Sequence, residues 1–164
     1  MLWEDAIRAA PLVERFGGAV VDIGSGGGSP GIPLAVALPG REVTLLEAQR
    51  RKCDFLRQWA PSNATVVWGR AEEQPVETFG VAVAKALAQP PVAVEWCLPL
   101  VHVGGAAILW LGESADLAAV AAVSEKLGGG APEVHDGLAV IPKIAPTPEG
   151  FPRRAGVAKR RPLA

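Results

Sequence analysis

Apolar positions recur along this chain with two different periods. Residues 3–16 place them at three- and four-residue intervals as far as Gly17-Gly18, which predicts a helix with a glycine stop. Short runs rich in Val, Leu and Ala follow at 19–23, 43–47, 64–68, 79–84 and 106–111 and predict strands. Between them, 32–38, 50–60, 91–100 and 114–127 predict helices. Strand and helix in alternation imply an α/β fold of three layers around a mostly parallel sheet. Residues 133–135 and 138–144 flank Asp136-Gly137, a dipeptide that favours a two-residue turn, so an antiparallel C-terminal hairpin is expected to close the sheet. Pro146, Pro148, Pro152 and Pro162 then exclude a long helix and predict an extended arm. Residues 1–164 are read as one domain, with 1–17 a leading helix and 145–164 the arm.

Composition changes this picture at one place. The net charge of −1 is unevenly spread, because residues 143–164 carry six Lys/Arg and one Asp/Glu while the remainder is acidic. A basic end suggests a polyanionic partner, the plainer alternative being a solvated tail. Every apolar run is interrupted by charges, Gly or Pro before it reaches a membrane span, so no membrane association and a cytoplasmic location are expected. Cys53 and Cys97 lack a metal or redox spacing and read as buried reduced thiols, and neither His102 nor His135 reads as a ligand.

The stretch VVDIGSGGGSPGIP, residues 20–33, joins an apolar strand to a glycine cluster that leaves backbone N–H groups open to a ligand. A phosphate-cradling GxxxxGK[ST] loop is excluded, since no Lys follows the glycines. A dinucleotide fingerprint can be threaded through Gly26, Gly28 and Gly31, with Glu47 at the right distance to grip a ribose, and this keeps a nicotinamide-dependent oxidoreductase open. Asp22, at the tip of the first strand, is expected to face the ligand, repelling a pyrophosphate and attracting a cationic sulfonium.

The pattern Asp22-x-Gly24-x-Gly26-x-Gly28 resembles the first motif of class I S-adenosylmethionine-dependent methyltransferases, and Glu47 resembles their ribose-binding acid. The segments DIGSGGGSPGIPLA, TLLEAQRRKCDFLRQ, VVWGRAEE, EWCLPLV followed by Gly104-Gly105, and KIAPTPEGFPRRAGVAKRRPL together resemble the bacterial small-subunit ribosomal RNA guanine-N7 methyltransferases, RsmG or GidB. The resemblance implies a Rossmann-like methyltransferase fold, S-adenosyl-L-methionine as cofactor and 16S ribosomal RNA or a small-subunit particle as partner, with the chain a monomer. It places Asp22, Gly24, Gly26, Ser29 and Glu47 in the cofactor site, Ala71 and Glu72 beside the adenine, and Lys85 where the family has an Arg. It begins at WEDAIRAAPLV, which is similar to the last helix of a longer N-terminal segment in the family; Gly80 stands where an Asp is usual, Leu111-Gly112 where a Lys often ends the strand, and Ser29 where the residue is bulkier and apolar.

Guanine N7 is already a lone-pair nucleophile, so the implied transfer needs placement rather than a general base. Arg153, Arg154, Lys159, Arg160 and Arg161 are the candidates for RNA phosphates, and Arg50, Arg51 and Lys52 read first as a solvated helix start. Phe151 and Leu163 offer a competing outcome in which the arm is pinned to the core and its arginines pair with the acidic body. Gln89-Pro90-Pro91-Val92 has the wrong outer residues for an amino-methyltransferase motif and reads as a helix entry. Among the five Trp, Trp68 and Trp110 lie at strand ends where a base could stack. A catalytically inactive RNA-binding relative is the alternative from another class.

Overall fold

The computed structural model describes residues 2–164. Its five parallel strands are β1 (Val20–Ile23), β2 (Val43–Glu47), β3 (Ala64–Trp68), β4 (Phe79–Ala84) and β5 (Val101–Trp110). The hairpin strands β6 (Glu133–His135) and β7 (Leu138–Pro142) complete a seven-stranded sheet of order β3-β2-β1-β4-β5-β7-β6, in which β7 runs antiparallel to both β5 and β6. Strand order reverses between β1 and β4, which opens a crevice beyond the carboxyl ends of the parallel strands.

Each strand alternates its side chains between two apolar layers. On one face Val20, Leu45, Val81 and Ile108 meet Leu34 and Leu38 from the α3 (Gly31–Ala37) segment and Leu56 from α4 (Arg50–Trp59). On the other, Val21, Ala82, Ala107 and Ala139 meet Val94 and Cys97 of α5 (Pro90–Cys97) and Val120 and Val123 of α6 (Leu117–Lys126). Cys53 and Cys97 are buried and unpaired, as expected, and burial pushes both thiols up, away from thiolate chemistry.

Two expectations are corrected at the ends of the chain. The leading helix is two short ones, α1 (Leu2–Ile7) and α2 (Ala10–Val13), because Pro11 lacks the N–H that would continue the first and its ring opposes the carbonyl one turn back. The arm is not freely extended. Phe151 and Leu163 pack against the α5 layer, and the chain ends in a one-turn helix, α7 (Val157–Arg160), started by left-handed Gly156. No helix among the described residues is long and apolar enough to cross a membrane.

Candidate cofactor site

Strand register sets the levels of the site. Asp22 is level with Leu45 of β2 and Val83 of β4, so Glu47 and Lys85 each lie two residues higher, about 7 Å beyond it. Asp22 is therefore roofed over by the start of α3. It is 1 % exposed, and its Oδ2 accepts the Gly31 N–H at 3.0 Å. Burial pushes its carboxyl up to about 7, Ser25 and the Gly31 N–H pull the other way, and the Glu47 charge adds to the rise. Asp22 does not face the cleft, which corrects its expected role. It fastens the far end of the glycine loop, and a Cβ on Gly31 would approach its Oδ2 to 2.6 Å.

Glu47 does reach the cleft, whose volume is about 550 Å³, within the usual size for a small-molecule site. Its Oε1 accepts the Gly26 N–H at 3.0 Å and its Oε2 the Gln49 N–H at 2.7 Å, so one carboxylate holds the glycine loop against the end of β2. The loop itself is cleared of side chains where it faces the cleft. A Cβ on Gly27 would meet nothing within 4 Å, and one on Gly26 would meet only the Gly24 carbonyl at 3.7 Å. Gly24 also lines the cleft, as expected, and its φ of +71° and the Leu87 methyl 2.3 Å from a would-be Cβ are further reasons for a glycine there. Gly80 has a similar explanation, because the Gly17 carbonyl would stand 1.7 Å from its Cβ and leaves no room for the usual Asp.

Lys85 lines the cleft and is paired with Asp5 of α1, whose carboxyl is held down first by Lys85 and then by Arg8. Ser29, Ala71 and Glu72 also line it, as does Trp96 of α5, which the sequence reading missed. Among the described residues, the Ser29 Oγ and Trp96 Nε1 are buried without any partner. Two orphaned polar atoms on the wall of a cleft, beside a backbone stripped of Cβ atoms, fit an adenosyl cofactor with its many donors and acceptors. A tryptophan inside a short apolar helix gave no signal of this in the sequence. Trp110 is no stacking surface here, because its indole donates to the Asp5 carbonyl at 3.3 Å and packs against the α3 layer.

The arm borders the same cleft. The Gly156 N–H donates to Glu72 Oε2 at 3.0 Å, and Lys159 of α7 is part of the lining. Arg153 is spent on the fold. Its guanidinium grips both oxygens of Glu95, which is 2 % exposed, and also donates to the Arg161 carbonyl. Arg154, Lys159, Arg160 and Arg161 remain exposed.

Structural neighbours share this frame. The S-adenosylmethionine-dependent O-methyltransferase of Thermotoga maritima superimposes with a TM-score of 0.69 over 89 % of this chain and 67 % of its own, at 14 % identity. TYW2 of M. jannaschii in complex with AdoMet gives 0.66 over 85 % and 72 %, also at 14 %. These likenesses establish the class I methyltransferase fold. At the level of sequence, ribosomal RNA small subunit methyltransferase G of Symbiobacterium thermophilum is 38 % identical over 90 % of this chain and 70 % of its own length. The protein of that name from Pelotomaculum thermopropionicum is 36 % identical over 96 % and 74 %. The family model described as GidB, rRNA small subunit methyltransferase G, matches residues 2–126, and with relatives of this identity over this much of both chains, the protein belongs to the GidB family.

Proposed function

We propose that this protein transfers a methyl group from S-adenosyl-L-methionine to N7 of a guanine in 16S ribosomal RNA, met as RNA or as a small-subunit particle. The observation that carries the reading is the cleft above the β1–β4 switch point, with Gly26-Gly27 bare and Glu47 and Lys85 at one level, in a chain of the GidB family. S-adenosylmethionine supplies an electrophilic methyl group. Glu47 would accept ribose hydroxyls, Gly26 and Gly27 would lie along the cofactor backbone, and Ala71-Glu72 would border the adenine. Lys85, its ammonium steadied by Asp5, would face the amino-acid carboxylate as a point charge. Ser29 Oγ and Trp96 Nε1 would gain the partners they lack.

N7 carries no proton, so the protein has none to remove, and its work is orientation. Arg154, Lys159, Arg160 and Arg161, exposed near the cleft, are the residues to hold RNA phosphates and fix the register of an unstacked guanine. The dinucleotide alternative is not favoured by family membership. The protein is read as a cytoplasmic monomer. The test is transfer of labelled methyl from S-adenosylmethionine to unmodified 16S RNA and to unmodified small subunits, with the product mapped by strand cleavage at N7-methylguanine. One modified guanine is expected. Cofactor binding without transfer to either substrate would leave the inactive RNA-binding relative, and binding of NAD in place of S-adenosylmethionine would leave the oxidoreductase.

A further inference from the structure

Helix α4 breaks two local rules on its outer face. Its first turn is Arg50-Arg51-Lys52 with no acid among them, at the positive end of the helix dipole where cations are disfavoured. Among the described residues neither Arg51 nor Lys52 has an ion-pair partner, while the one acid of the helix, Asp54, is taken by Arg57 at 3.2 Å. On the same helix Phe55 and Trp59 are 46 % and 62 % exposed, their rings 6.4 Å apart. Lys52, Phe55 and Trp59 stand at i, i+3 and i+7, so they share one face over about 10 Å.

Trp68 continues the surface at the head of the helix. It is 58 % exposed, its indole N–H is fixed to the Ala48 carbonyl at 2.9 Å, and the Arg50 guanidinium lies 5.6 Å from its ring centre. Because Lys52 also lines the cofactor cleft, the aromatic and basic stripe begins at the rim of the site and runs outward. Unsatisfied cations interleaved with ring faces match a polyanion whose bases are unpaired, since base stacking on aromatics is tolerant of sequence and the cations track the phosphates. A duplex hides its base faces and would not fit.

We propose that the outer face of α4, with Trp68 at its head, is a stacking platform for unpaired nucleotides adjoining the methylated guanine, with Arg51 and Lys52 on their phosphates. This rests on the RNA substrate of the proposed function and names how that substrate is held. The experiment measures binding of single-stranded dodecauridylate, and of its duplex with dodecaadenylate, to the parent protein, to Phe55→Ala/Trp59→Ala and to Arg51→Ala. Methyl transfer to 16S RNA and affinity for S-adenosylmethionine are followed in parallel. The aromatic double variant should bind the single strand about 30-fold more weakly with an unchanged salt slope. It should raise the KM for RNA without lowering kcat, and leave cofactor affinity unchanged. Arg51→Ala should flatten the salt slope by about 0.7 log units, the loss of one phosphate contact. The parent should prefer the single strand.

Equal single-strand affinity for parent and double variant overturns the platform, and if the parent still methylates 16S RNA the proposed function stands without it. A parent that transfers no methyl to RNA, while the double variant still loses single-strand binding, sinks the proposed function and keeps the platform. Unchanged RNA affinity together with lost self-association in the double variant would assign the face to a second copy of the chain and overturn it as well.

Discussion

Strands β1 and β2 each carry an acid near their tips beside the same glycine loop, and the two acids do opposite things. Asp22 is sealed beneath α3 with one oxygen on the Gly31 N–H and the other without a partner, whereas Glu47 stands in the cleft with both oxygens on loop amides. The parallel register makes the difference, because Ile23 pairs with Leu46 and β2 runs one residue further before it turns. Closeness to the glycines pointed to Asp22 and the spacing to the end of the second strand pointed to Glu47, but a ligand can meet only the one that rises past the roof of the loop. The arm repeats the contrast, with Arg153 closed onto buried Glu95 and Lys159 open at the cleft.

The largest effect should come from removing the charge at the deeper tip. The Asp22 carboxyl is raised from 3.8 to about 7 by burial, so the native state holds a proton that the unfolded chain has released across that window. Stability should therefore be full below pH 4 as far as this group is concerned, fall as pH rises from about 4 to about 7, and stay at the lower level above it. Asp22→Asn keeps an acceptor for Gly31 and should abolish that fall, on the order of 4 kcal/mol by thermal or denaturant unfolding at a series of pH values. Its affinity for S-adenosylmethionine should stay within about threefold of the parent. A drop of a hundredfold would show that Asp22 reads the ligand after all.

Arg153→Ala leaves Glu95 buried without its cation and should cost about 3 kcal/mol. The salt dependence of RNA binding should stay that of the parent, so a flattened slope with normal stability would return Arg153 to the phosphate contacts. The smallest of the three effects is expected at the upper tip. Glu47→Gln should weaken S-adenosylmethionine by about 100-fold in calorimetry, the loss of charge from a carboxylate placed to accept hydroxyls. If Glu47→Gln and Asp22→Asn bind equally well, the two tips are not distinguished by the cofactor.

Most of the element plan was legible because it depends on periodicity. The strands at 64–68 and 79–84 and the helix starting at Arg50 were read to the residue, and the Asp136-Gly137 turn was read correctly. The leading helix was misread because its apolar spacing is helical on both sides of Pro11, and the spacing does not register a missing N–H. Within the site, Glu47, Ser29, Ala71, Glu72 and Lys85 line the cleft that the sequence placed them around. Trp96 and Asp5 were invisible, since Trp96 sits inside an apolar helix and Asp5 reaches Lys85 from the leading helix 80 residues away.

By itself the sequence determined the alternation of layers, the position of the glycine loop at the end of the first strand and the family resemblance, all of which follow from local spacing and ordered motifs. Only the tertiary structure decided which charges are free. Whether an acid faces ligand or backbone depends on the register between neighbouring strands, which set Glu47 two residues above Asp22. Whether an arginine of the arm meets solvent or a buried carboxylate depends on where α5 presents Glu95, which lies 58 residues away in the chain. The same holds for α4, whose cations read as a solvated start until packing left Phe55 and Trp59 uncovered on its outer face beside Trp68, the strand-end residue where a base was expected to stack.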